Sequence, residues 1–206
     1  MNLRLERTTI STVAGNGTNG FSGDGGPVTA WLRILQVFVA VEIGSRGILH
    51  CNVTDHPTAE CPTQQFREIL ADPHPYGFVL HDRDAIFSTS LDLALKDFGV
   101  RVLKTPVRAL KANAFCERLV GTVRRECLDY LIPLNDRHLR RILKEFVRYY
   151  NRGRPHSALG PAVPEPIQAS VPTTGQRHRI PSGYRVTSTP ILGGLHHDYR
   201  LEKEAA

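Results

Sequence analysis

Between Trp31 and Tyr150 short runs of β-branched and aromatic residues alternate with amphipathic stretches of helical period, which limits the chain to a sheet layered with helices. Trp31–Ile43 and Gly47–Val53 read as two strands joined by the turn material Gly44-Ser45-Arg46-Gly47. Both runs are nearly continuously apolar, which predicts inner positions in a sheet covered on two faces. Thr58–Ala71 carries Phe66, Ile69 and Leu70 at helical spacing and stops before Asp72-Pro73. Gly77–Leu80 is a short buried strand. Ser88–Phe98 repeats Leu91, Leu95 and Phe98 along one helix face, with Ser88 as N-cap and Gly99 as stop signal. Val100–Leu103 adds another short strand. The expectation is α/β, a mixed sheet flanked by helices.

Two further helices carry the charge. Residues 1–100 hold 7 Lys/Arg against 11 Asp/Glu, whereas residues 101–160 hold 14 against 5. A basic block of this kind is compatible with a polyanionic partner or with a solvated charged face. In the first of these helices Phe115, Leu119, Val123, Cys127 and Tyr130 make an apolar stripe, bordered by Glu117, Gly121 and Arg124. Glycine in a helix interior costs roughly 1 kcal/mol relative to alanine. At Gly121 it leaves room either for a phosphate backbone or for a tight helix crossing. The second helix, Arg137–Tyr150, sets Arg137, Arg141, Lys144 and Arg148 along one face opposite Leu139, Ile142, Leu143, Phe146 and Tyr150.

Cys51, Cys61, Cys116 and Cys127 show no CxxC pair and no zinc-finger spacing with the histidines, which predicts reduced thiols and a cytoplasmic setting. No apolar run is long enough to span a bilayer, and MNLRLERTT lacks an export-type apolar region, so no membrane association is expected. Residues 10–30 hold six glycines, at 15, 17, 20, 23, 25 and 26, and read as loop with a short leading strand. Gly15-x-Gly17-x-x-Gly20 has the spacing of a dinucleotide loop, but Phe-Ser-Gly-Asp-Gly-Gly-Pro follows where a helix is required, so no nucleotide cofactor is expected. The phrase TVAGNG…GFSGDGGP resembles one stretch of an NHL-type β-propeller repeat, foreign to the α/β pattern after it. Prolines cluster again between Pro155 and Pro190, which predicts an extended tail. The adjacent His196 and His197 point apart in most backbone conformations and make a poor metal pair.

An acidic residue, Asp82, follows the strand that ends at Leu80, the end at which open α/β sheets build their sites. HDRDAIFS, KTPVRALKANAFCERLVGTVRREC and YYNRGRPHSALG, in this order, resemble the catalytic core of DDE-type integrases and transposases of the insertion-sequence and retroviral kind. The likeness runs from about Leu32 to Pro166, with LGGLHHDYRLE similar to the tails of bacterial members. It implies a ribonuclease H-like fold and divides the chain into a Gly-rich, propeller-like segment 1–30, a core 31–166 and a C-terminal tail 167–206.

The resemblance places the family's second Asp on Asp82, through the pattern D-x-x-x-x-F to Phe87, with Asp84 as its neighbour. Its Glu falls on Glu117, with 34 residues between the two. Asp82 and Glu117 are then catalytic and metal-ligating. Three carboxylates hold two Mg²⁺ or Mn²⁺ ions that activate water, and then a DNA 3′-hydroxyl, for in-line attack on a phosphodiester. DNA is the implied partner, contacted by Arg118, Arg124 and Arg125 near the site and by Arg137, Arg141, Lys144 and Arg148 beyond it, and the active form is implied to be a homo-oligomer. Leu110-Lys111 stands where the family has Pro-Gln. The family's first Asp belongs on the opening central strand, where this chain has Gly23-Asp24-Gly25-Gly26-Pro27. The first strand is therefore expected to be lacking or altered, with Asp24 as a weak substitute. Two readings follow: a DNA strand transferase, or a truncated, inactive remnant that still binds DNA.

Overall fold

The structure, a computed structural model, describes residues 8–15, 36–54, 58–71, 73–81, 87–104, 114–160, 162–166 and 180–204. The chain divides into two compact units, Met1–Arg141 and Ile142–Ala206.

The first unit is built on five strands, β1 (Thr8–Gly15), β2 (Gln36–Glu42), β3 (Ile48–Thr54), β4 (Tyr76–His81) and β5 (Arg101–Lys104), in the order β3-β2-β1-β4-β5. The β2–β3 hairpin and the β1–β2 pair are antiparallel, while β1–β4 and β4–β5 are parallel. The parallel pairs require crossovers. These contain α1 (Glu60–Ile69), between β3 and β4, and α2 (Thr89–Asp97), between β4 and β5. α3 (Ala114–Glu126) follows β5 and packs against β1, and α4 (Asp136–Arg152) contains the boundary between the two units.

Local chemistry accounts for the element ends. Ser88 caps α2, its hydroxyl accepting from the Leu91 N–H at 3.4 Å, and Gly99 leaves the helix at φ +79°. The β2–β3 turn closes through Arg46 N–H to the Glu42 carbonyl, with the Ser45 hydroxyl donating to the Glu42 carboxylate at 2.6 Å. Its left-handed residue is Arg46, not either flanking glycine.

Phe38 and Ala40 of β2, Val79 of β4, Phe66 and Leu70 at α1, and Leu91 and Leu95 of α2 form one core layer. Val39 and Val41 alternate with Phe38 and Ala40, face the other way and are buried as well. Cys51 is paired in register with Val39 and lies close to Cys127 beyond the end of α3, which puts the end of α3 over this second face. Burial, with Cys127 beside it, pushes the Cys51 thiol up to about 12, so it stays protonated at neutral pH. None of the four cysteines forms a disulfide.

Three expectations change. The propeller resemblance is overturned: Thr8–Gly15 is the middle strand of an open mixed sheet, paired on both sides, and no closed or curled sheet occurs among the described residues. The reason lies in Thr8, Thr9, Ile10, Thr12 and Val13, β-branched strand formers that precede all six of the glycines in question. Residues 16–30, with Asp24, lie outside the described residues. The hairpin is not wholly interior either, since β3 is an edge strand and is buried only at Ile48 and Val53. Within the second unit, residues 167–206, expected as an extended tail, contain a two-stranded antiparallel sheet, β6 (Tyr184–Ile191) and β7 (His196–Lys203). A turn with positive φ at Leu192, Gly193 and Gly194 joins them. The hairpin docks on α4, where Glu145 accepts from the Leu192 N–H at 2.6 Å and Tyr149 stacks on His196 at 4.5 Å.

Phe66 is 0% exposed and meets Phe38 edge-on at 5.7 Å between ring centroids. Phe66→Ala is expected to lower unfolding free energy by about 3–5 kcal/mol in a urea titration. Leu93→Ala, on the exposed side of α2, should change it by less than about 0.5 kcal/mol.

Candidate acidic site and nucleic-acid interface

The carboxyl ends of β4 and β5 meet the first turn of α2. His81, the last residue of β4, is 1% exposed and stacks on Phe87 at 4.8 Å between centroids. Its Nε2 lies 3.0 Å from Asp92 Oδ1, and Lys104 Nζ, at the end of β5, lies 2.5 Å from Asp92 Oδ2. Burial by itself would raise the Asp92 carboxyl. Hydrogen bonds from Lys104 and His81, together with their charges, outweigh it and hold the group below the ordinary carboxylate value. The sequence reading missed this trio because its members come from three elements with no common spacing.

Asp82 and Asp84 follow His81 directly and lie outside the described residues. β1 runs parallel beside β4, with Ser11 opposite Leu80. Thr8–Gly15 contains no carboxylate, histidine or cysteine. Glu117 is exposed in the first turn of α3, where the helix dipole favours an acid. Among the described residues no group of three or more histidines, cysteines and carboxylates could hold a metal ion. The resemblance asks for three carboxylates, one of them from the opening central strand, and β1 supplies none. The strand's own chemistry therefore does not fit the implied pair of metal ions.

Around Glu117 the surface is basic. Arg118, Arg124 and Arg125 are exposed. Arg124 reaches Asp129 at 3.4 Å, an exposed pair that contributes little. Arg125 folds back over Gly121: a Cβ added there would stand 2.8 Å from Arg125 Nη1, so the missing side chain makes a seat for that guanidinium. Arg46, in the β2–β3 turn, lies over the Phe115 ring at 3.9 Å, and its Nη1 is enclosed with no hydrogen-bond partner among the described residues. Nothing in the sequence marked Arg46, since the fold alone brings the turn to α3.

Along α4, Arg137, Arg141, Lys144 and Arg148 are exposed at the predicted spacing. Arg140 points elsewhere and donates to the Asn52 side chain and the Val53 carbonyl of β3. It closes a cavity of about 170 Å³ lined by Phe38, Asn52, Cys61 and Gln65, across β1 from the end of β4. His196, on β7, is taken up by its stack with Tyr149. No helix among the described residues is long and apolar enough to cross a membrane.

The strand order β3-β2-β1-β4-β5, with an antiparallel hairpin on one side of β1 and a parallel pair on the other, fits the ribonuclease H-like class. Residues 99–164 match the family model described as "Integrase core domain", a span that includes α3 and α4. The structure is similar to that of the catalytic core domain of BIV integrase, with a TM-score of 0.54 and 13% sequence identity, over 76% of this chain and 90% of that one. At that identity the likeness is one of fold. No curated protein matches the chain.

Because the Asp92 carboxyl is held below its unfolded value of about 3.9, its pairs contribute fully above that value and are lost as pH falls through the lower folded value. Stability measured from pH 7 downward should therefore fall more steeply over that acid window in the wild type than in Asp92→Asn. Identical slopes would show that the trio contributes nothing.

Proposed function

We propose that this chain is a DNA-binding core of the integrase and transposase type in which the first central strand is altered and phosphodiester chemistry is lost. The observation that carries this reading is the composition of Thr8–Gly15: β1 takes the central position beside β4 without a carboxylate. A site built on three carboxylates is then short of one, whatever Asp82 and Glu117 contribute. Binding does not depend on that residue. The exposed Arg118, Arg124 and Arg125 of α3 and Arg137, Arg141, Lys144 and Arg148 of α4 supply charge for phosphate contacts, which are salt-dependent and carry little sequence information.

Strand transfer is the second reading, favoured by Glu117 in the first turn of α3 and by Asp82 one residue beyond β4. It requires a third carboxylate from elsewhere, with Asp24 as candidate, and would run in a homo-oligomer on paired DNA ends, as the resemblance implies.

Fluorescence anisotropy on a duplex oligonucleotide tests binding. The logarithm of the affinity should fall linearly with the logarithm of salt concentration, and Arg137→Ala and Arg141→Ala should each reduce the slope by about one. Cleavage and strand-transfer assays in Mg²⁺ or Mn²⁺ should show no product. Product that disappears in Glu117→Gln would establish the second reading, and salt-independent or absent binding would overturn both.

A further inference from the structure

The connection between α3 and α4 leaves three large apolar side chains in water at alternate positions: Tyr130 is 66% exposed, Ile132 84% and Leu134 80%. Single exposed apolar residues are ordinary, whereas three in one short connection are not. Leu131, just after the short 3-10 helix Leu128–Tyr130, is extended, with φ −129° and ψ 134°, which sets Tyr130 and Ile132 toward one side.

The segment is also held stiff. Pro133 fixes its own φ and restricts Ile132 before it. Asn135 accepts from the His138 N–H at 2.8 Å, while the His138 ring accepts from the Leu134 N–H at 3.2 Å, a reciprocal cap at the start of α4. In that arrangement Leu134 ordinarily packs back on the fourth helical residue, here Leu139. Leu139 is buried, yet Leu134 stays exposed. The backbone is pinned and the side chain is presented outward.

Arginines flank the row in sequence on both sides. Arg124 and Arg125 end α3, and Arg137, Arg140 and Arg141 begin α4. Arg124 and Arg140 are engaged with Asp129 and Asp136, whereas Arg125, Arg137 and Arg141 make no ion pair among the described residues. A stiff apolar row whose sequence neighbours on either side include arginines without ion pairs offers a duplex apolar surface together with charge for its phosphates.

Resting on the DNA-binding reading above, we propose that Ile132, Pro133 and Leu134 form a wedge that enters the minor groove of duplex DNA and unstacks a base step, with Tyr130 against the adjoining sugar or base. The arginines on either side hold the two phosphate backbones while the wedge kinks the duplex, the arrangement by which apolar side chains bend DNA toward the major groove. Pyrimidine–purine steps are preferred because they unstack most readily.

A duplex with a donor and an acceptor dye at its ends, titrated with the full chain, tests this. Wild-type protein should raise energy transfer on binding, more on a duplex with a central TA step than on a stiff A-tract. Ile132→Ser combined with Leu134→Ser, shown folded by circular dichroism, should bind with an unchanged salt slope and leave transfer at the free-DNA value. Ile132→Leu should bend as the wild type does. Wild-type binding without a change in transfer, or full bending by the double variant, would overturn the wedge and leave the DNA-binding reading standing. Absence of salt-dependent binding would remove both. Bending retained by a double variant that sediments as a monomer where the wild type is a dimer would assign the ridge to a second copy of the chain and overturn the wedge.

Discussion

Everything in the first unit depends on β1 being paired on both sides. Without it the sheet falls into an antiparallel hairpin, β2–β3, and a parallel pair, β4–β5, with no hydrogen bonds between them. Two-stranded pieces of this kind are marginal in water. β1 joins them by running antiparallel to β2 and parallel to β4, and α3 packs against it. A strand in that position must be able to lose water. TTISTVAG can, having no charged group to desolvate. The composition that suits the sheet centre is also what leaves β1 without a metal ligand, so architecture and chemistry separate at a single strand.

Charge is distributed in the same divided way. Where the carboxyl ends of β4 and β5 meet α2, the Lys104–Asp92–His81 trio neutralises itself and ties three elements together. On α3 and α4 the arginines outnumber nearby acids, and the pairs that form among the described residues, Arg124–Asp129, Arg140–Asp136 and Arg152–Glu165, are exposed and compete with water. The first arrangement holds the shape of the strand ends. The second leaves exposed cationic surface, with Gly121 giving Arg125 a seat along its own helix.

Much of the layout was legible from residue pattern. Leu91, Leu95 and Ser88 marked α2 and its cap, and the alternation of strands and helices gave the mixed sheet. The basic face of α4 followed from spacing along one helix. The failures have a common cause. The β-branched residues of Thr8–Gly15 were outweighed by the glycines after them, because a local phrase says nothing about which strands will pair with it. β3 read as interior because its composition does not reveal that no strand among the described residues lies beyond it. The β6–β7 hairpin was hidden by the prolines before it, and its docking depends on Glu145 and Tyr149, 47 residues before their partners.

The sequence by itself determined the elements from β2 to α4, the basic surface of α3 and α4, and the absence of any carboxylate within Thr8–Gly15. These are properties of neighbours along the chain, set by spacing and side-chain type. Tertiary structure alone decided that those eight residues occupy the sheet centre, that His81 and Lys104 converge on Asp92, that Arg46 covers Phe115, and that Leu134 turns away from Leu139 into water. Each of these joins groups far apart in sequence, or sets a side chain against its usual local partner, and only the closed arrangement of strands and helices fixes such choices.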